Sequence, residues 1–158
     1  MNILVTGCAG FIGFHVVEKI IQNNKISKNI FGIDNINSYY DIELKKTRLK
    51  ILKKNKNFIF TKLDICNFNK LFNFCKKNKI KKIIHLAAQA GVRYSIDNPK
   101  TYLDNNINGF FNILEVARHL KMNHLVCAST SSVYGKNNQY PTNESFNTDK
   151  PKSFYAAT

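Results

Sequence analysis

Close to the end of the 158-residue sequence stands "SFYAAT", in which Tyr155 is followed by Ala156, Ala157 and Thr158. A tyrosine followed by small residues at a helix start can open a Tyr-x-x-x-Lys pair. In such a pair the phenol gives and takes a proton, and an ammonium group one turn on lowers its pKa from about 10. The lysine would be residue 159, one position past Thr158. Upstream, "CASTSSVYG" sets the hydroxyls of Thr130, Ser131 and Ser132 directly after an apolar run. At the carboxyl end of a strand they would face a ligand cleft; a plain hydroxyl-rich turn is the other reading. Near the start, "TGCAGFIG" spaces Gly7, Gly10 and Gly13 as G-x-x-G-x-x-G. Gly7 permits a tight turn, Gly10 lets a pyrophosphate approach the backbone, and Gly13 lets a helix pack closely on its strand. Asp34 follows at the spacing of about 20 residues where a carboxylate can take both adenosine-ribose hydroxyls. It would repel a 2′-phosphate, which favours NAD over NADP. A turn cap shared with Asn35 remains open as its other role.

These residues need a scaffold that brings strand ends together. Apolar runs and helical spacing alternate along the chain. "NILV" reads as a strand, and "FHVVEKIIQNN" as a helix with Val16, Val17, Ile20 and Ile21 inward. "NIFGID" is a second strand. "YYDIELKKTRLKILKKN" is an amphipathic helix that offers Ile42, Leu44, Leu49 and Leu52 to the core. "NFIFTKLDI" and "KKIIHLAAQ" flank the helix "NKLFNFCKKN". Pro99 opens a long helix through "TYLDNNINGFFNILEVARHL", in keeping with proline in a first turn. "HLVCAST" is a fifth strand. A polar loop from Gly135 to Lys152 then leads to Ser153, an N-cap for a helix at Tyr155. The expected fold is α/β: a Rossmann-type, doubly wound parallel sheet with helices on both faces, a single domain over residues 1–158.

Composition bounds the function. The formal charge is +14, carried mostly by lysine, with arginine only at positions 48, 93 and 118. Lysine, asparagine and isoleucine share A/T-rich codons, and the lysines fall where solvated helix faces are expected. A nucleic-acid binder is therefore the weaker reading of the charge. No run approaches the roughly 18 apolar residues of a membrane span, and "MNILVTG" begins directly as a strand, without a signal-peptide pattern. Cys8, Cys66, Cys75 and Cys127 are scattered; buried reduced thiols and a cytoplasmic location are expected, with no metal site.

"ILVTGCAGFIGFHV", "GIDNINSYYDIELKKTRL", "HLAAQAGVRYSIDNP", "NNINGFFNILE", "STSSVYG" and "SFYAAT" together span the chain. On these segments the sequence resembles the N-terminal half of the extended short-chain dehydrogenase/reductases that act on nucleotide sugars, most of all the UDP-glucuronate 4-epimerases. The resemblance implies NAD as a retained cofactor and a nucleotide sugar as substrate. It implies a homodimer in the complete enzyme, and a C-terminal substrate domain before which this chain stops. Amides of Phe11 and Ile12 would meet the pyrophosphate, after Gly7, Gly10 and Gly13. Asp34 and Asn35 would meet the ribose, and Asp64 and Ile65 would border the adenine. Leu86, Ala87, Ala88 and Gln89 would run along the cofactor, with Asn105 near the nicotinamide side. Thr130 would hold the reacting sugar oxygen and Tyr155 would be the acid/base. Arg93, Ser131 and Ser132 are carried as substrate contacts. Related 4,6-dehydratases usually show an Asp-Glu pair inside the segment matching "TSSVYG", and the decarboxylases a Glu where this chain has Ser132. Their absence favours epimerisation by reversible oxidation at C4. The 158 residues alone are expected to be inactive; the alternatives are another NAD-dependent nucleotide-sugar epimerase, dehydratase or decarboxylase, or a non-catalytic NAD-binding module.

Overall fold

The structure, a computed structural model, describes residues 1–23, 29–136 and 141–158. Part of the polar loop expected from Gly135 to Lys152, and the expected end of the first helix at Asn24, lie outside the described residues. Five parallel strands form one sheet: β1 (Asn2–Thr6), β2 (Ile30–Asp34), β3 (Phe58–Lys62), β4 (Ile80–His85) and β5 (His124–Cys127). Their order is β3-β2-β1-β4-β5, with Ile3 opposite Ile30 on one side of β1 and Leu4 opposite Ile83 on the other. The chain winds outward from β1 in one direction and then, from β4, in the other. The strand ends between β1 and β4 are thus a topological switch point.

Side chains alternate across a strand, so β1 feeds two cores. Ile3 and Val5 pack with Val17 and Ile20 of α1 (Phe11–Gln22), and with Leu49 and Leu52 of α2 (Ile42–Leu52). Leu4 packs on the opposite face with Ile83, with Leu71 and Cys75 of α3 (Phe68–Lys77), and with Ile113 and Val116 of α6 (Phe110–His119). Helices on both faces explain why Leu4 and Val5 are both fully buried despite pointing in opposite directions.

Several elements differ from the sequence expectation. In α2 only Leu49 and Leu52 of the four expected apolar residues are buried; Leu44 is exposed and Lys45 takes an inward place. The expected helix from Pro99 is three consecutive pieces: α5 (Pro99–Tyr102), a π-helical stretch (Leu103–Gly109) and α6. A short helix, α4 (Val92–Asp97), precedes it unannounced. Of the four thiols, Cys8 and Cys75 are buried as expected, but Cys66 and Cys127 are exposed. Cys66 lies in the loop after β3, and Cys127 ends the edge strand β5, where no neighbouring strand covers it. No helix among the described residues is long and apolar enough to cross a membrane.

Candidate functional site

The glycine turn between β1 and α1 is built by exclusion of side chains. Gly7 has φ +66, and a Cβ there would lie 2.9 Å from backbone atoms of Ala87. A Cβ on Gly13 would collide with the Gly7 carbonyl, so α1 can sit this close only as glycine. The amides of the turn are spent internally. Cys8 N–H donates to Ile33 O (3.3 Å), Ala9 N–H to Asp34 Oδ2 (3.1 Å) and Gly10 N–H to Gly7 O (3.0 Å). The first helical hydrogen bond runs from Phe14 N–H to Gly10 O (3.0 Å). The amides of Phe11, Ile12 and Gly13 are left as the first-turn donors, the group that binds anions at a helix start. No side chain caps this helix, whose N-cap is Gly10.

The neighbouring strand ends are tied to the turn. Thr6 Oγ1 accepts from the amides of Leu86 (3.0 Å) and Ala87 (3.1 Å), and lies 2.8 Å from His85 Nδ1. With both acceptor positions used, the hydroxyl donates to Nδ1, which makes His85 a neutral imidazole protonated on Nε2. Burial agrees, pushing the His85 pKa down to about 4. Asp34 is buried; besides Ala9 it accepts from Ile36 N–H at 2.8 Å. Asn35 donates to Asp64 Oδ2 (3.1 Å), and Cys66 N–H donates to Asp64 Oδ1 (2.8 Å). Burial opposes the Asp64 charge, but these hydrogen bonds outweigh it and hold the carboxyl below its ordinary pKa.

These pieces surround one cleft of about 630 Å³, counting its open mouth. Gly7, Gly10, Asp34, Asn35, Ile65, Leu86, Ala87, Ala88, Gln89 and Asn105 line it, each expected from sequence. Phe11 and Ile12 are exposed and outside the lining, and Asp64 reaches the lining through Asn35. Gln89 is 2 % exposed, and its Nε2 has no hydrogen-bond partner. Its amide lies close enough to the Tyr39 and Tyr102 hydroxyls to favour their charged forms, but without hydrogen-bonding geometry. A buried unpaired amide facing a cleft is a donor waiting for a ligand acceptor. Asn106 of the π stretch holds the Gln89 backbone at both ends, accepting from its N–H (2.8 Å) and donating to its carbonyl (3.0 Å).

Thr130, Ser131, Ser132, Arg93 and Tyr155 are not among the residues lining this cleft. Thr130 caps the 3₁₀ turn Ser131–Tyr134, accepting from Ser132 N–H at 3.2 Å. The last helix, α7 (Phe154–Ala157), is capped by Ser153, which accepts from Ala156 N–H at 3.0 Å. It packs against both the 3₁₀ turn and α4, which carries Arg93. Tyr155 N–H donates to Ser95 Oγ (3.3 Å) of α4, and its ring meets the edge of Tyr102 at 5.8 Å. Tyr102 is fully buried, its hydroxyl fixed on Ala90 O and Gly91 O, and burial pushes its pKa up to about 12. Tyr102 is thus a packing group, and Tyr155 is half-exposed.

Sequence reasoning overlooked Asn37, Tyr39, Tyr40 and Lys45 in the lining, and Ser95, Tyr102 and Asn106 behind it. "YYD" carried the signal for the tyrosines. Lys45 was hidden in a lysine-rich run; it is 6 % exposed and donates to Asn37 O (2.9 Å) and Oδ1 (2.8 Å). Burial lowers its pKa. Among the described residues no cluster of three or more His, Cys, Asp or Glu could hold a metal.

A doubly wound sheet, a glycine turn with spare first-turn amides and a carboxylate at the end of β2 define a Rossmann-type protein. Residues 4–158 match the family described as GDP-mannose 4,6 dehydratase, and the chain belongs to that family. It is 46 % identical over 155 residues to a UDP-glucuronate 4-epimerase of Thermodesulfobacterium geofontis, covering 98 % of this chain and 47 % of that protein. Among solved structures, UDP-glucuronic acid 4-epimerase from Bacillus cereus, in complex with UDP-glucuronic acid and NAD, superposes with a TM-score of 0.89 at 34 % identity. The match covers 99 % of this chain and 48 % of that one. A dTDP-glucose 4,6-dehydratase from Streptomyces venezuelae, with NAD and TYD bound, gives a TM-score of 0.88 at 26 % identity, covering 99 % of this chain and 48 % of that one. The chain spans about half the length of the relatives it matches.

Proposed function

We propose that these 158 residues form the cofactor-binding portion of an NAD-dependent nucleotide-sugar 4-epimerase that interconverts UDP-glucuronate and UDP-galacturonate. The observation that carries this is the glycine turn at "TGCAGFIG": the amides of Cys8, Ala9 and Gly10 are bonded within the protein, and those of Phe11, Ile12 and Gly13 are left as the donors that a pyrophosphate would take. The unpaired Gln89 amide and the collision of any Cβ at Gly13 support the same fit. In this reading Gly10, Phe11 and Ile12 meet the pyrophosphate, and Asp34 and Asn35 the adenosine ribose. Asp64 and Ile65 border the adenine, Leu86 to Gln89 lie along the cofactor, and Asn105 stands on its nicotinamide side. Bound NAD supplies a hydride acceptor that returns the hydride, so it ends as it began.

Tyr155 takes the proton of the C4 hydroxyl and later returns it, while Thr130 holds the oxygen. Ser131, Ser132 and Arg93 hold the sugar and its carboxylate, which guards a 4-keto intermediate that is prone to lose CO₂. The active protein is proposed to be a cytoplasmic homodimer, and the 158 residues alone are expected to bind NAD without turnover. The test joins these residues to the C-terminal region carried by the relatives and separates the two epimers by chromatography. Turnover is expected there, and Tyr155→Phe should abolish it with NAD affinity kept; turnover by Tyr155→Phe overturns the mechanism. Dehydration is the second reading, favoured by the match to the 4,6-dehydratase at a TM-score of 0.88. Loss of water from the product, seen by mass, would select it.

A further inference from the structure

The mechanism uses none of the cations of α2, and Arg48 is the one that reaches the glycine turn. Arg48 is half-buried, and its Nη1 donates to the carbonyl of Ala9 at 3.2 Å. Its guanidinium lies 5.9 Å from the centre of the Phe11 ring, over the first residue of α1. None of the ion pairs found among the described residues involves Arg48. Lys45, one turn earlier, is likewise bonded only to neutral oxygens, those of Asn37. The buried Asp34 carboxylate, bonded to Ala9 N–H, supplies one negative charge that acts on Lys45; with Lys45 and Arg48 both cationic, one positive charge is left beside the donors for an anion to balance.

The bond also fixes a peptide plane. In a trans peptide the carbonyl and the following N–H point opposite ways. Holding Ala9 O on Arg48 therefore directs Gly10 N–H, which donates to Gly7 O. The preceding amide, Ala9 N–H, is held by Asp34. Ala9 is thus gripped from β2 on one side and from α2 on the other, and the turn between them sets where the first-turn amides of α1 stand. Leu49 and Leu52, both buried, anchor α2 so that Arg48 reaches the turn from a rigid base.

We propose that Arg48 is a positioning residue for the anionic group bound at the glycine turn: it fixes the Ala9 peptide and sets a positive charge beside the amides that receive the phosphate. The inference rests on the dinucleotide reading above. It is tested on the 158-residue chain by titration with NAD, ADP and adenosine at two salt concentrations. Arg48→Met should weaken NAD and ADP by roughly tenfold, the scale of a lost charge-assisted hydrogen bond. Adenosine, which has no phosphate, should bind unchanged, and NAD affinity should become less salt-dependent. Arg48→Lys should recover part of the loss. Lys50→Met, which removes an exposed charge from the same helix, should change nothing. Should Arg48→Met fail to melt cooperatively, Arg48→Lys carries the comparison, with a smaller loss again confined to NAD and ADP. Wild-type affinity in Arg48→Met, or an equal loss for adenosine, overturns the role of Arg48 and leaves the cofactor reading standing. Failure of the wild-type chain to bind either NAD or ADP overturns the cofactor reading and the inference with it.

Discussion

Asp34 was open to two readings in the sequence, ribose acceptor or turn cap, and the structure makes it a cap twice over. It accepts from Ile36 N–H in its own turn and from Ala9 N–H in the glycine turn. Neither bond removes it from the cleft, because a carboxylate offers about four acceptor positions. The predicted preference for NAD over NADP thus stands beside a structural duty. Asp34→Ala should narrow the discrimination in calorimetry, and it should also lower stability by about 1–3 kcal/mol, since two amides lose their acceptor. Gly10→Asp should abolish NAD binding, because the new carboxylate meets the phosphate site, although its Cβ would also press on the Gly7 carbonyl at 3.2 Å; unchanged affinity in a folded variant would count against the assignment. His85 gives a pH test. Its folded pKa, about 4, lies below the ordinary value of 6.5. The unfolded chain therefore binds a proton that the folded chain refuses between those values, and stability is lost as pH falls through that window. The full loss approaches about 3 kcal/mol. Chemical denaturation at pH 7 and pH 4.5 should show a smaller fall for His85→Asn, which keeps an acceptor for the Thr6 hydroxyl.

The elements were legible where one period rules. Strands β1 to β4 and helices α1 and α3 follow apolar patterns that no neighbour overrides, and the glycine spacing marks the turn between the first pair. The π stretch at Leu103–Gly109 was not legible, because apolar spacing does not distinguish i→i+4 from i→i+5 hydrogen bonding over a single turn. Helix α4 was missed because six residues are too short for a period, and its start depends on Gly91 at φ +107. Lys45 was misplaced on a solvated face because propensity cannot see the acceptors that Asn37, in the preceding loop, brings to it. Helix α1 offers the sharpest test at this scale. Gly13→Ala should push the helix off the turn and destabilise the chain by about 1–3 kcal/mol, the usual range for overpacking. A thermal melt unchanged by the substitution would show that the close approach is not needed.

Across the whole molecule, apolar surface is distributed unevenly. The β3 edge adjoins an open groove lined by Lys46, Lys50, Lys53, Lys54 and Lys62, and charges of this kind discourage edge-to-edge pairing. The other edge, β5, leaves Val126 45 % exposed. Along the helix from Pro99, Leu103, Ile107, Phe111 and Leu114 are all exposed at spacings of four, four and three residues. A row of large apolar groups on one helix is more than scattered surface hydrophobicity, and water contact with it is unfavourable. A second copy can cover such a row by packing the same face against itself about a two-fold axis. The net charge of +14 opposes that association at long range, but salt screens exposed charges within about 10 Å at 0.1 M. The isolated 158-residue chain should therefore be marginally stable and should self-associate as salt rises, seen by sedimentation. Phe111→Glu should shift it toward monomer while far-UV circular dichroism stays the same. A monomeric wild-type chain that melts cooperatively without cofactor or partner would contradict both expectations, because the exposed row would then need no cover.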